Sequence, residues 1–128
     1  MQQKIDRSAI SPDESEKLKD KLADNLQVSD GILEIRQILR HKKRFLDLLL
    51  LADEQESMIN LYLERGEMFA LYDQNILRTI CVVTNEGDKT VELKNIATDP
   101  QYQKLGYGKK LIKFISEHYA GKYDTLLV

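Results

Sequence analysis

Cysteine is nearly missing from this sequence, proline occurs twice, and neither sign of charge is in excess. The lone thiol, Cys81, excludes an internal disulfide and a cysteine-based zinc site, and it suits a reducing compartment. Apolar runs such as Leu48 to Ala52 are far too short to cross a bilayer. The opening stretch MQQKIDRSAISPDESEK has no apolar core of secretion-signal type, so a cytoplasmic protein is expected. Lys and Arg number 19 against 21 Asp and Glu, a net charge of −2, so nucleic-acid binding has no electrostatic support from the chain as a whole. Any basic site has to be local. No internal repeat or low-complexity segment is present.

What remains is ordinary globular material. A chain of 128 residues with 42% hydrophobic and 31% charged positions can bury one core and make one domain. Residues 1–31 read as a separate helical extension. Ser11, Pro12 and Glu14 form a helix start, with Ser11 as N-cap and Glu14 reaching back in a capping box. Leu18, Leu22 and Leu26 then give one narrow apolar stripe that needs a surface to cover. Ser29 to Gly31 close the segment as a turn.

From Ile32 the pattern changes. ILEIRQIL reads as a strand. Two helical pieces follow: Phe45, Leu46, Leu49 and Leu50 share one face, and Asp53 with Glu56 caps a second helix bearing Ile59, Tyr62 and Leu63, which Gly66 stops. MFALY, ILRTICVVT and TVELKNIAT are strand-like runs separated by turns at Asp73 to Asn75 and Asn85 to Asp88, which predicts an antiparallel meander. After QKLGYG a helix carries Leu111, Ile112, Ile115 and Tyr119 on one face; Gly121 ends it, and TLLV reads as a last strand.

The junction DPQYQKLGYGKK carries the chemistry. The first amides of a helix lack partners within it and lie at the positive end of its dipole, so an anion placed there is held by both effects. Glycine at 106 and 108 keeps side chains away from those amides, and Lys104, Lys109, Lys110 and Lys113 add positive charge nearby. A glycine turn before an ordinary helix with solvated lysines has the same residues. Two familiar phosphate cradles fit poorly. A Walker loop needs a hydroxyl after GK, where Lys110 stands, and a dinucleotide fingerprint needs a third glycine where Leu111 stands.

Taken with the strand before it, ELKNIATDPQYQKLGYGKKLI resembles the GNAT superfamily of acyl-CoA-dependent N-acyltransferases, whose (R/Q)xxGx(G/A) signature is matched by Gln103, Gly106 and Gly108. The resemblance runs from Ile32 to Val128 in element order. It implies an α/β fold of the α+β kind, a mixed, largely antiparallel sheet flanked by helices, here with an extra N-terminal helix. It implies acetyl-CoA as cosubstrate, with Gln103, Lys104, Leu105, Gly106, Tyr107, Gly108 and Lys109 around the diphosphate. The backbone of Ile96, Ala97 and Thr98 would pair with the pantetheine arm, and an amide near Ile96 would polarise the thioester. Glu92 is the implied catalytic base, with a solvent-facing strand glutamate as the plainer reading. No metal is implied.

Tyr62, Glu67 and Tyr72 are candidates for the acceptor side, although packing tyrosines are common. His41, His118 and Cys81 have no evident partners in sequence. The family continues past its fifth strand with a further helix and hairpin, so residues 32–128 read as a GNAT core incomplete at the C-terminus, with a homodimer completing the sheet as one arrangement. Two functions follow: an N-acetyltransferase acting on an unidentified amine, small or on a protein, or a non-catalytic module that binds CoA or a protein partner. A nucleotide-phosphate domain of another family is the weakest alternative.

Overall fold

Two tight turns organise the chain. Gln74 and Asn75, with φ of 53° and 64°, join β3 (Glu67–Asp73) to β4 (Ile76–Gly87), and Asp88 and Lys89, with φ of 52° and 56°, join β4 to β5 (Thr90–Thr98). Paired left-handed residues make the turn whose twist matches that of antiparallel strands, so the meander follows from them. The second turn lies later than Asn85 to Asp88, because β4 runs on to Gly87 past an irregular step near Asn85.

The structure, a computed structural model, describes residues 19–128. Upstream of the meander lie β1 (Asn25–Ser29), β2 (Leu33–Ile38), a 3-10 turn (Lys42–Phe45), α1 (Leu46–Ala52) and α2 (Glu56–Tyr62). Downstream come a second 3-10 turn (Pro100–Tyr102), α3 (Tyr107–Tyr119) and β6 (Thr125–Leu127). The sheet has the order β1-β2-β3-β4-β5-β6, antiparallel except for β5 with β6, which α3 joins as a crossover.

Both faces of the sheet are covered, which explains why MFALY carries no polar alternation. Met68, Ala70 and Tyr72 of β3 pack with Leu49, Ile59 and Tyr62 beneath α1 and α2. Phe69 and Leu71, the intervening residues, pack with Leu111, Ile115 and Tyr119 of α3. Cys81 lies wholly within the second cluster, where burial pushes its thiol up to about 12. No helix among the described residues is long and apolar enough to cross a membrane, which says nothing of a β-barrel.

Three local expectations are corrected. Residues 25–28, read with the helical extension, and Ser29, read as the start of its closing turn, form β1 and pair with β2 in the register Asn25 with Gln37 and Ser29 with Glu34. The described helical residues stop at 23, and Leu22 and Leu26 are 71% and 49% exposed, so these two positions of the expected stripe are not buried; Leu18 lies outside the described residues. Open backbone groups along β2 outweigh the local helical pattern. The expected cap at Ser11 to Glu14 lies outside the described residues. At α2, Gln55 and not Asp53 occupies the N-cap, without a side-chain bond.

Gly66 follows α2, as the helix-stop reading requires, but a close approach explains the residue. A Cβ there would lie 2.6 Å from Val82 Cγ1 and 2.9 Å from the Tyr62 carbonyl oxygen. Beside it, the buried Lys42 donates its ammonium to the carbonyls of Leu63, Glu64 and Gly66 at 3.1, 3.3 and 2.7 Å. A cation at the negative end of a helix satisfies carbonyls that the helix itself leaves open.

Candidate functional site

The end of β5 and the start of α3 are joined by a loop held at each step. Asp99 caps the 3-10 turn, its Oδ1 accepting the Gln101 amide at 2.9 Å, with Pro100 in the first position. The Asp99 amide donates to the Arg78 carbonyl on β4 at 2.9 Å. Gln103 then extends the chain, and its Nε2 donates back to the Thr98 carbonyl at 3.2 Å. Lys104 is left-handed with φ of 67°, and Gly106, at φ of 89°, is the N-cap of α3.

Gly106 therefore needs the conformational freedom of glycine, since other residues resist this region. Gly108 does not. It lies in the helix, where a Cβ would meet Thr98 Oγ1 at an ordinary 3.7 Å, so its contribution is open space above the first amides. Those amides face a cavity of about 450 Å3, lined by Thr98, by Tyr102 to Lys104 and by Gly106 to Lys109. No backbone acceptor within α3 satisfies the amides of its first turn, and the helix dipole adds to their pull on an anion.

Seven of the ten residues expected to hold the cofactor line this cavity. Ile96 and Ala97 line instead a neighbouring hollow of about 130 Å3, together with Thr98, Gln103 and, from α1, Leu51 and Ala52. Leu105 lines neither and is 60% exposed. Tyr102, which sequence reasoning did not single out, joins the wall, with Arg78 4.0 Å from its ring.

Glu92 lies at the opposite end of β5, opposite Thr84 on β4 and Leu127 on β6. At about 3.3 Å per residue it is about 20 Å from Thr98. Its Oε2 is 2.5 Å from Lys94 Nζ, which also holds Glu86 Oε1 at 3.0 Å. The Lys94 ammonium, with help from Glu92, pulls the Glu86 carboxyl down to about 2, and the two carboxylates raise the affinity of Lys94 for its proton.

A bulge separates Glu92 from Asn95 along β5. Register passes from Val82 with Asn95 to Val83 with Leu93, leaving Lys94 as the extra residue. Val91 and Leu93 pack on the α3 side, while Ala97 packs on the other. The bulge resets the alternation, so Glu92 and Asn95 project from one face. Asn95 is buried there; its Nδ2 donates to the Leu49 carbonyl and to the Tyr62 hydroxyl, both at 3.0 Å. Asn95 was not anticipated, because its partners lie on α1 and α2.

The three residues considered for the acceptor side do not converge. Tyr62 is buried, donates to Asp53 Oδ2 at 3.4 Å, and has its phenol pushed up, mainly by burial. Tyr72 is buried beneath the Lys21 ammonium, 4.7 Å from its ring, and its phenol is pushed up to about 12 by burial. Glu67, at the far end of β3, accepts from Tyr119 at 3.0 Å and Gln37 at 3.1 Å. His41 faces Asp20 at 3.0 Å, and His118 stacks edge-on with Phe69 at 5.2 Å. Among the described residues no cluster of three His, Cys, Asp or Glu is placed to hold a metal ion.

Comparison with known proteins agrees with this geometry. Residues 64–128 match the family described as acetyltransferase (GNAT) domain. Over 66 residues the chain is 41% identical to an uncharacterized N-acetyltransferase, YvbK, of Bacillus subtilis (strain 168), a match covering 52% of this chain and 43% of that protein. A GNAT family acetyltransferase from Elizabethkingia anophelis, solved with acetyl-CoA bound, superposes with a TM-score of 0.69 at 30% identity, over 76% of this chain and 64% of its own. A Bacillus subtilis acetyltransferase in complex with CoA gives 0.68 at 34% identity, over 73% and 62%. The chain thus spans less than half of the curated relative and under two thirds of these solved structures.

Proposed function

This chain belongs to the GNAT acetyltransferase family, and from that premise we propose that it binds acetyl-CoA and transfers the acetyl group to a primary amine. The observation that carries the reading is the left-handed Gly106 opening α3 onto a cavity lined by the loop's own residues, at the end of a strand whose bulge aims Glu92 and Asn95 to one side. The diphosphate is held by the amides of Gly106 to Lys109, with the lysines around them supplying charge. The pantetheine arm runs along Thr98, Ala97 and Ile96, over the hollow that they share with α1.

Dimensions support this arrangement. An extended pantetheine arm has about the reach of five strand residues, at about 3.3 Å each. An arm starting at the loop therefore carries its thioester past Thr98 to the stretch between Ile96 and the bulge at Lys94, on the Glu92 side of the loop. There the amine nitrogen attacks the thioester carbonyl carbon, an amide near Ile96 stabilises the oxyanion, and the C–S bond breaks. The nitrogen loses its proton to Glu92, and the CoA thiolate leaves to be protonated as the thiol. Before acting, Glu92 has to exchange its contact with Lys94 for the amine. That contact is the one observation favouring the second reading, a module that binds CoA without turnover.

Calorimetric titration with acetyl-CoA tests the donor, and saturable binding is expected. Absence of both a binding heat and any rise in Tm overturns the reading. Release of CoA thiol with a panel of small amines and polyamines tests transfer; binding without thiol release leaves the second reading standing.

A further inference from the structure

The loop that carries the chemistry is supported from beneath by a residue outside it. Arg78, near the start of β4, is 9% exposed. Its guanidinium carbon lies 4.0 Å from the ring centre of Tyr102 and 5.4 Å from that of Tyr107. These two tyrosines stand at the entry and the exit of the turn through Lys104 and Gly106, and both line the cavity. Nη2 of Arg78 donates to the Asp73 carbonyl at 3.1 Å, and the Tyr107 hydroxyl donates to the Asp73 carboxylate at 2.6 Å. The Arg78 carbonyl receives the Asp99 amide at 2.9 Å, so backbone and side chain of one residue hold both limbs of the loop. Nε of Arg78 has no hydrogen-bond partner among the described residues.

We propose that Arg78 is a positioning residue for the diphosphate of the acyl donor: it clamps Tyr102 and Tyr107 so that the amides of Gly106 to Lys109 are aligned before the ligand arrives, and its charge draws the diphosphate into the cavity. The inference rests on the acyl-CoA reading of the same loop. Three features carry it. The turn contains a lysine in a left-handed conformation, which holds its shape only where the surroundings enforce it. The clamp consists of a planar cation against aromatic faces, an arrangement that guanidinium makes and ammonium does not reproduce. A guanidinium is always charged, and within a largely buried setting its field is weakly screened. A loop aligned in advance loses less freedom when it binds.

The test compares ligands with and without the diphosphate. Arg78→Met, Arg78→Lys and Tyr107→Phe are titrated with CoA and, separately, with pantetheine, which has the arm and thiol but no phosphate. The expected result is a rise in the Kd for CoA of about tenfold in Arg78→Met, a smaller rise in Arg78→Lys and Tyr107→Phe, and a Kd for pantetheine within about twofold of wild type. The dependence of CoA affinity on salt is expected to flatten in Arg78→Met and to persist in Arg78→Lys. Unchanged CoA affinity in Arg78→Met overturns the inference, as does an equal loss for CoA and pantetheine, which marks general damage to the fold. If Arg78→Met does not fold, Arg78→Lys and Tyr107→Phe carry the same comparison. Failure of the wild-type chain to bind CoA overturns the function itself, an outcome distinct from either.

Discussion

Asn95 Nδ2 lies 3.0 Å from the hydroxyl of Tyr62, and the same nitrogen reaches the Leu49 carbonyl at 3.0 Å, so one side chain in a strand ties down two helices. All of this is buried. Asn95→Ala removes one bond from the Leu49 carbonyl, which keeps the Asp53 amide, and one from the Tyr62 hydroxyl, which keeps the Asp53 carboxylate, each at a cost of about 1 kcal/mol, and the void left by the amide adds about as much again. A loss of about 3 kcal/mol in urea denaturation is expected; a loss under about 1 kcal/mol would show that α1 and α2 hold their places without it.

The two loop glycines are expected to respond differently. Gly106→Ala forces a Cβ into the left-handed region, lowering stability by about 1 to 2 kcal/mol and weakening acetyl-CoA by at least about tenfold. Gly108→Ala gains helix propensity, up to about 1 kcal/mol, and yet loses affinity, because its Cβ stands in the space above the first amides. Denaturation and calorimetry on both variants check this. Stability that rises while binding falls is the diagnostic result, and unchanged binding in Gly108→Ala would remove that position from the cradle.

Lys42 caps the end of α2 with three bonds to carbonyls and, among the described residues, pairs with no carboxylate. Lys42→Met is expected to lose about 2 kcal/mol, since the carbonyls lose a charged donor. Because the site is remote from the loop, the Kd for acetyl-CoA, measured well below the Tm, is expected to stay at its wild-type value.

At the bulge, Glu92→Gln is expected to reduce kcat by about 100-fold or more, with the Kd for acetyl-CoA unchanged. Equal turnover in steady-state assays would remove Glu92 from the mechanism.

The Lys94 bridge adds a pH dependence with a definite sign. Glu86 titrates lower in the folded protein, about 2, than its ordinary 4.5. The folded state therefore binds fewer protons than the unfolded one between those values, and stability falls as pH drops through that window. Lys94→Met is expected to flatten that part of the profile. Both carboxylates are solvent-reached, so the difference between the variants should shrink in high salt. Thermal melts from neutral to acid pH, at low and high salt, check both trends.

Much of the fold was legible because its causes are local. Tight turns between β-rich runs dictate the meander, and the period of Leu111, Ile115 and Tyr119 dictates a helix with one buried face. The loop was legible for the same reason: Gly106 and Gly108 act through their own backbone, and Gln103 reaches back only five residues to the Thr98 carbonyl, at a strand-to-helix junction that spacing alone reveals. Residues 25–29 were misread because a strand at the margin of a sheet exists only by virtue of the partner that it pairs with. Capping at α2 was misassigned because the N-cap lies two residues later, at Gln55, and Asp53 takes the Gln55 amide and the Tyr62 hydroxyl, both at 3.4 Å.

The sequence by itself therefore determined the family, the glycine turn that opens α3 and the order of the elements from β2 onward, through features of short-range conformation. Tertiary structure decided what surrounds them. It set Arg78 under the loop tyrosines, Asn95 between two helices, and Glu92 in the grip of Lys94 about 20 Å from the loop end of its strand. The physical reason is that these relations depend on sheet register and on one bulge, where a single extra residue changes the face to which every later side chain points.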